Sequence, residues 1–171
     1  MNLEWLVEFL INAPSIIRLL LRPFKDRMLK RIEREVLIER ETEVTVLHAY
    51  TPPMIRFTFK LSNMTPTDIS VQGMYLWIYH DAFPLMKIVW SDYEKQVDGP
   101  EMVLKLPKKG RSSISIDYAP VFSNMFRKFK RWYIRGTILL NCGWGMFSKV
   151  VDLPFDISDE QWHDVIRGWG G

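Results

Sequence analysis

Few side chains in this sequence have the types and spacing that catalysis or metal binding requires. The three histidines, His48, His80 and His163, stand far apart, and none has a second metal ligand at helical or strand spacing. We expect a surface or structural role for each. Cys142 lies in a glycine turn, NCGWG, with no nucleophile motif around it, and phosphate-cradling glycine patterns are absent. The sequence therefore predicts no enzyme, no metal, no cofactor and no small-molecule substrate.

One run of the chain combines cations with aromatic rings and contains no acidic residue. It spans residues 126–135, FRKFKRWYIR. Such a pattern can follow phosphates while its rings stack on bases, or lie in a lipid headgroup layer. It is also typical of a strand start whose rings enter a core while its charges stay in water. The candidate anionic-ligand residues of this run are Arg127, Lys128, Lys130, Arg131, Trp132 and Arg135.

The basic charge of the chain is concentrated near its N-terminus. The formal net charge is +3, but residues 18–34 hold seven basic residues against two acidic ones, so the rest is slightly acidic. Residues 3–21, LEWLVEFLINAPSIIRLLL, are apolar but interrupted by Glu8, Asn12, Pro14 and Arg18. These interruptions disfavour a spanning helix, and the flanks do not fit a signal peptide. The segment is predicted to form an interfacial helix pair bent at Pro14, or a helix docked on a partner subunit.

The next segment, residues 23–41, has the spacing of a helix with one apolar side. Pro23 suits a first helical turn, and Met28, Leu29, Ile32 and Val36 share one face. Three interpretations stay open: a helix packed on its own domain, a basic helix on anionic lipid, or a partner-binding helix. The residues expected to contact a membrane or a partner are Trp5, Leu6, Phe9, Leu10, Arg18, Arg22, Lys25, Lys30, Arg31 and Arg34.

From residue 43 onward the pattern changes to short apolar runs between turn residues. Strands are predicted near residues 44–50, 55–61, 68–79, 85–90, 102–106, 112–117, 132–141 and 147–153. Alternation in the third strand shifts by one residue at Gln72 and Gly73, which predicts a β-bulge. Ser158 is expected to cap a final helix. The predicted fold is mainly β: an immunoglobulin/fibronectin III-like antiparallel β-sandwich over residues 43–171, with a helical segment over residues 1–42.

Parts of the sandwich resemble a known family. Asn63, a turn, and then Ile69, Val71, Met74, Leu76 and Ile78 resemble the N-P-N…I-x-V-x-x-L-x-Y-x-L signature of the WHy domain. This domain occurs in late embryogenesis abundant group 2 proteins and their archaeal relatives. The runs KKGRSSISIDY and YIRGTILLNCGWGMFSKVVDLPFDI resemble its glycine turn and closing strands, so the similarity spans residues 44–157. Met64 stands where the family has its first proline.

The resemblance implies a sandwich without catalytic residues, often tethered to a membrane and associated with stress tolerance. The sequence hypothesis is therefore a non-catalytic binding or structural module, held at an anionic membrane surface or on a membrane protein by its N-terminal segment. If the apolar segment inserts into a membrane, the cations that follow it place the domain on the cytoplasmic side. That side would leave the glycosylation pattern at Asn63 to Thr65 unmodified. The alternative hypothesis is a nucleic-acid-binding protein that uses residues 126–135.

Overall fold

The computed structural model describes residues 15–50, 53–91, 105–119 and 131–167. Two helices and eight strands follow one another in these ranges. In chain order they are α1 (Ser15–Glu35), β1 (Val36–Leu47), β2 (Met54–Asn63), β3 (Ile69–His80), β4 (Phe83–Ser91), β5 (Lys105–Leu106), β6 (Arg111–Tyr118), β7 (Arg131–Cys142), β8 (Gly145–Asp156) and α2 (Asp159–Arg167).

The strands form two antiparallel sheets that pack on each other. One sheet has the order β1-β2-β6, and the other has the order β4-β3-β7-β8, with β5 paired to β3. Phe57 of the first sheet contacts two rings of the second, with ring centroids 5.7 Å from Trp132 and 5.2 Å from Phe155. Aromatic rings thus fill the space between the sheets, and the mainly β, two-sheet prediction is confirmed.

Strand patterns account for the core. In β2 the alternate residues Ile55, Phe57, Phe59 and Leu61 are buried, as the period of two predicts. The bulge predicted at Gln72 is confirmed, because the pairing of β3 with β7 shifts register between Val71 and Gly73. On β3, odd-numbered residues therefore face the core before the bulge, and even-numbered residues face it after the bulge.

The junction of helix and sandwich differs from the prediction. Helix α1 ends at Glu35, and Val36 begins β1, fully buried and opposite Asn63. Val36 was expected on the apolar side of the helix, and the predicted boundary after residue 42 falls inside β1. The reason is an irregularity in the pairing of β1 with β2 between Ile38 and Thr42, which hides the period of two. In addition Pro23 lies inside α1, not in its first turn.

Helix α1 is fixed to the end of the β7–β8 hairpin. Ile32 is buried in the core, and Met28 and Leu29 pack against it. The ring of Phe24 meets Trp144 edge to face at a centroid distance of 5.9 Å. Lys149 Nζ donates to the carbonyl oxygen of Glu33 at 2.9 Å, which places a cation at the carboxyl end of the helix. The helix and the sandwich therefore share one apolar core.

Helix α2 begins with the predicted cap. The backbone N–H of Gln161 donates to Ser158 Oγ, and the backbone N–H of Ser158 donates to Gln161 Oε1, which is a capping box. Gln161 Nε2 also donates to the carbonyl oxygen of Val44 in β1 at 2.8 Å. Val165 is fully buried. These contacts hold α2 against the sandwich and confirm the predicted short C-terminal helix.

Candidate binding surfaces

The solvent side of α1 carries a row of cations. Arg27, Lys30 and Arg34 are exposed and follow one another at helical spacing. Within the described ranges none of these three has a carboxylate oxygen within 4.0 Å, whereas Arg31 Nε pairs with Glu35 Oε1 at 2.9 Å. A depression of about 650 Å³ runs along the same side of the helix. Arg27, Lys30 and Arg34 are called the cationic face of α1 below.

The apolar side of α1 packs against the domain, and the opposite side faces the solvent. Among the three sequence interpretations the structure therefore favours a helix packed on its own domain. Lys25, predicted to contact a membrane or partner, lies over the β7–β8 turn, with Cε 3.5 Å from where a Cβ on Gly145 would be. Arg22 is exposed. Trp5, Leu6, Phe9, Leu10 and the side chain of Arg18 lie outside the described residues.

Four aromatic side chains lie on the outer side of the five-stranded sheet. They are Tyr75, Trp77 and Tyr79 of β3 and Tyr133 of β7, and together they are called the aromatic face. They point away from the core because the intervening residues of both strands are buried. Tyr75 is 43% exposed and Trp77 is 37% exposed, and Tyr79 lies opposite Tyr133. The most central strands of this sheet thus present rings to the solvent.

Charged side chains flank these rings in one row across the sheet. Lys87, Trp77, Arg135 and Asp152 follow one another in register on β4, β3, β7 and β8. Lys87 Nζ lies 5.6 Å from the centroid of the Trp77 ring. Arg135 Cζ lies 4.6 Å from the Tyr133 ring, and its Nε pairs with Asp152 Oδ1 at 2.9 Å. The row therefore holds two cations and one carboxylate, and Arg135 already neutralises the carboxylate.

The structure separates the residues of the predicted anionic-ligand patch. The prediction that Trp132 contacts an anionic ligand is wrong. Trp132 is 1% exposed and lies between the sheets, where its ring centroid is 5.7 Å from that of Tyr118. Arg131 and Arg135 are exposed, on the outer side of β7. Arg127, Lys128 and Lys130 lie outside the described residues. Residues of β7 thus alternate between core and solvent, and only the solvent side of this run can meet a ligand.

Sequence reasoning missed Tyr75, Trp77 and Tyr79, although their signal was present. Burial of Met74, Leu76 and Ile78 on β3 puts the residues between them on the opposite side of the sheet. A strand that buries both sides would have aliphatic residues at these positions. After the bulge, each outward position of β3 is aromatic, and a group of exposed rings is typical of a binding surface.

Two of the groups considered for chemistry, His80 and Cys142, are buried, whereas His48 and His163 are exposed. His80 is 1% exposed and packs against the Trp132 ring at 4.9 Å. Burial raises the pKa of the Cys142 thiol, which donates to the carbonyl oxygen of Gly145 at 3.4 Å. Among the residues that the structure describes, no three side chains of His, Cys, Asp or Glu are grouped as metal ligands. In the same residues no helix has the length and hydropathy needed to cross a bilayer.

Comparisons with known proteins identify no family. No family model matches the chain, and no curated protein matches it. A Northeast Structural Genomics Consortium target solved by X-ray crystallography is similar at 11% identity and a TM-score of 0.49, over 74% of this chain and 89% of that one. A crystal structure from Bordetella pertussis, named as a candidate ApaA protein, is similar at 11% identity and a TM-score of 0.44, over 71% and 96%. Both scores lie below 0.5, and neither likeness assigns a function.

Proposed function

We propose that this protein is a non-catalytic binding module that attaches to an anionic membrane surface through the cationic face of α1, with its sandwich on the cytoplasmic side. The observation that carries the proposal is the row of exposed cations, Arg27, Lys30 and Arg34, on a helix that cannot turn relative to its domain. An apolar sequence, residues 3–13, precedes this helix. A polybasic segment next to an apolar one is the pattern by which proteins recognise anionic lipid.

The packing of α1 supports attachment through charge and not through its apolar side. Burial of Ile32 and the contact of Phe24 with Trp144 occupy that side, so insertion of this part of the helix would expose the core. No linker separates Glu35 from Val36. The cations are therefore presented in a fixed direction, and the apolar residues before the helix are left to enter the lipid.

The proposed type of sandwich is immunoglobulin/fibronectin III-like, as in the WHy domain. In such folds the first, second and fifth strands face the third, sixth and seventh across the core. Here β1, β2 and β6 face β3, β7 and β8, with β4 added beside β3. This order supports the assignment if β4 and β5 are accessory strands.

Sedimentation with lipid vesicles tests the proposed attachment. The full chain is expected to sediment with vesicles that contain phosphatidylserine and to stay in solution with phosphatidylcholine vesicles. Each cation near the surface contributes about 1 kcal/mol, so Arg27→Gln, Lys30→Gln and Arg34→Gln together should weaken binding about 100-fold. High salt should weaken it too, because the Debye length falls from about 10 Å at 0.1 M to about 3 Å at 1 M.

A matched control uses three exposed cations outside α1. Changing Lys87, Arg131 and Arg167 to Gln alters the net charge by the same amount and should leave binding unchanged. Equal loss in both triple variants would show that only net charge matters, and no binding to anionic vesicles would refute attachment to lipid. Retention on native membranes but not on vesicles would move the attachment to a membrane protein.

A further inference from the structure

We infer that the aromatic face is a binding site for single-stranded nucleic acid, with bases stacked on its rings and phosphates held by Lys87 and Arg135. The inference does not depend on attachment through α1. It uses a surface on the outer side of the five-stranded sheet, whereas α1 packs at the end of the β7–β8 hairpin.

The spacing of the rings suits a chain of bases. Alternate residues of an antiparallel strand are about 6.8 Å apart, so Tyr75, Trp77 and Tyr79 form a ladder of rings about 14 Å long. Tyr133 widens one end of this ladder, because it lies opposite Tyr79 on the neighbouring strand. Sheet faces with two or three exposed rings are a recurring platform on which unpaired bases stack.

The charges suit phosphate and not a cationic or neutral ligand. Lys87 and Arg135 lie on either side of Trp77, and the carboxylate of Asp152 is held by Arg135 at the edge strand. Within the described residues Lys87 has no carboxylate oxygen within 4.0 Å, so its ammonium group can pair with an incoming anion.

Single strands are favoured over duplexes and over acidic peptides by the same observations. Stacking on exposed rings requires bases that are not already stacked with a partner, which a duplex does not offer. A duplex also needs many phosphate contacts, and the described face supplies two cations. An acidic peptide would use these cations but would leave the ring faces without planar partners.

Fluorescence anisotropy with labelled oligothymidylate and oligouridylate tests the site on the full chain. Binding is expected at about 50 mM salt. The slope of log K against log salt should lie between about −0.7 and −1.4, because Lys87 can contact a phosphate fully whereas Arg135 is shared with Asp152. Trp77→Ala should weaken binding about 5- to 150-fold, the range expected for loss of one stacked base. Trp77→Phe should restore most of the affinity. Lys87→Gln should make the salt slope smaller by about 0.7.

Three controls separate this site from general attraction between charges. Phe83 is an aromatic residue 70% exposed but opposite the buried His80, so Phe83→Ala should bind as the unchanged protein does. The triple variant of the cationic face should keep its affinity for the oligonucleotide. Polyglutamate should not displace the oligonucleotide at equal charge.

The inference is overturned if neither oligonucleotide binds, if Trp77→Ala binds normally, or if polyglutamate competes as well as oligouridylate does. A measurement on the unchanged protein completes the test. Ultraviolet cross-linking to bromouridine oligonucleotides should label the β3 peptide that holds Trp77, and labelling confined to other peptides would also refute the site. Vesicle binding by Trp77→Ala should stay intact, so this site and the lipid attachment can fail separately.

Discussion

Asn63 joins three segments of the chain at the end of β2, and its replacement by Ala tests the physical account of the fold. The side chain is fully buried. Its Nδ2 donates to three carbonyl oxygens, those of Thr67 at 2.8 Å, Leu106 at 3.1 Å and Pro107 at 3.0 Å. Its Oδ1 accepts from the backbone N–H and the hydroxyl of Thr65 at 3.0 and 2.6 Å. The network closes the β2–β3 turn onto β5.

The cost of losing this network follows from the number of bonds. The network amounts to about four hydrogen bonds, because Nδ2 has two hydrogens to donate and Oδ1 accepts two bonds. Each bond contributes about 1 kcal/mol net. Asn63→Ala should therefore lower the free energy of unfolding by about 4 kcal/mol. With a urea m-value of about 2 kcal/mol/M, the unfolding midpoint should fall by about 2 M.

Urea unfolding followed by circular dichroism measures this change. Met64→Ala is the matched control, because Met64 is the next residue along and is exposed, and it should change stability by about 0.5 kcal/mol or less. A loss below about 1 kcal/mol in Asn63→Ala at an unchanged m-value would refute the network as a source of stability. The same burial and bonding leave Nδ2 inaccessible to a glycan in the folded domain.

Two further predictions concern backbone fit and pH. A Cβ on Gly136 would lie 2.0 Å from the carbonyl oxygen of Tyr75, and the φ of Gly136 is +150°. Gly136→Ala should therefore lower the free energy of unfolding by about 3 kcal/mol or more. The neighbouring change Thr137→Ala should not cause a loss of this size. Burial raises the pKa of Tyr118 and of Cys142 above their ordinary values of 10.0 and 9.0. Above those values the unfolded chain releases protons that the folded chain keeps, so the free energy of unfolding should fall as pH rises. Urea titrations at neutral pH and about pH 10 should show a smaller fall in Tyr118→Phe, and an identical fall would contradict this cause.

The strands were predictable because their residues alternate. The period of two in β2 and the shift at Gln72 define the strand, its buried side and its bulge from the sequence alone. The start of β1 was not predictable in this way. Val36 continues the apolar side of α1 and also begins a buried strand, and the charged residues that follow suit an exposed helix as well as a bulged strand. Only contact with Asn63 on β2 decides between the two.

The candidate surfaces were predictable in part. The cations of α1 are evident in the sequence, but which of them face the solvent depends on the side that packs on the β7–β8 hairpin. In residues 126–135 the neighbours Trp132 and Tyr133 are both aromatic, so composition does not tell which enters the core. Pairing with β3 decides it: Trp132 lies opposite the buried His80, and Tyr133 lies opposite Tyr79. The aromatic face therefore arises from sheet register, which joins residues far apart in the chain.

The most direct test of lipid attachment is a fluorescent probe on the cationic face. Cys142 is the only cysteine and is buried, so Asp26→Cys and Ser113→Cys each offer one exposed thiol, the first beside Arg27 on α1 and the second on β6. On addition of phosphatidylserine vesicles, an environment-sensitive dye at residue 26 should shift its emission to the blue, and the same dye at residue 113 should not. A shift at residue 113 alone, or at neither residue, would contradict the proposed attachment through α1.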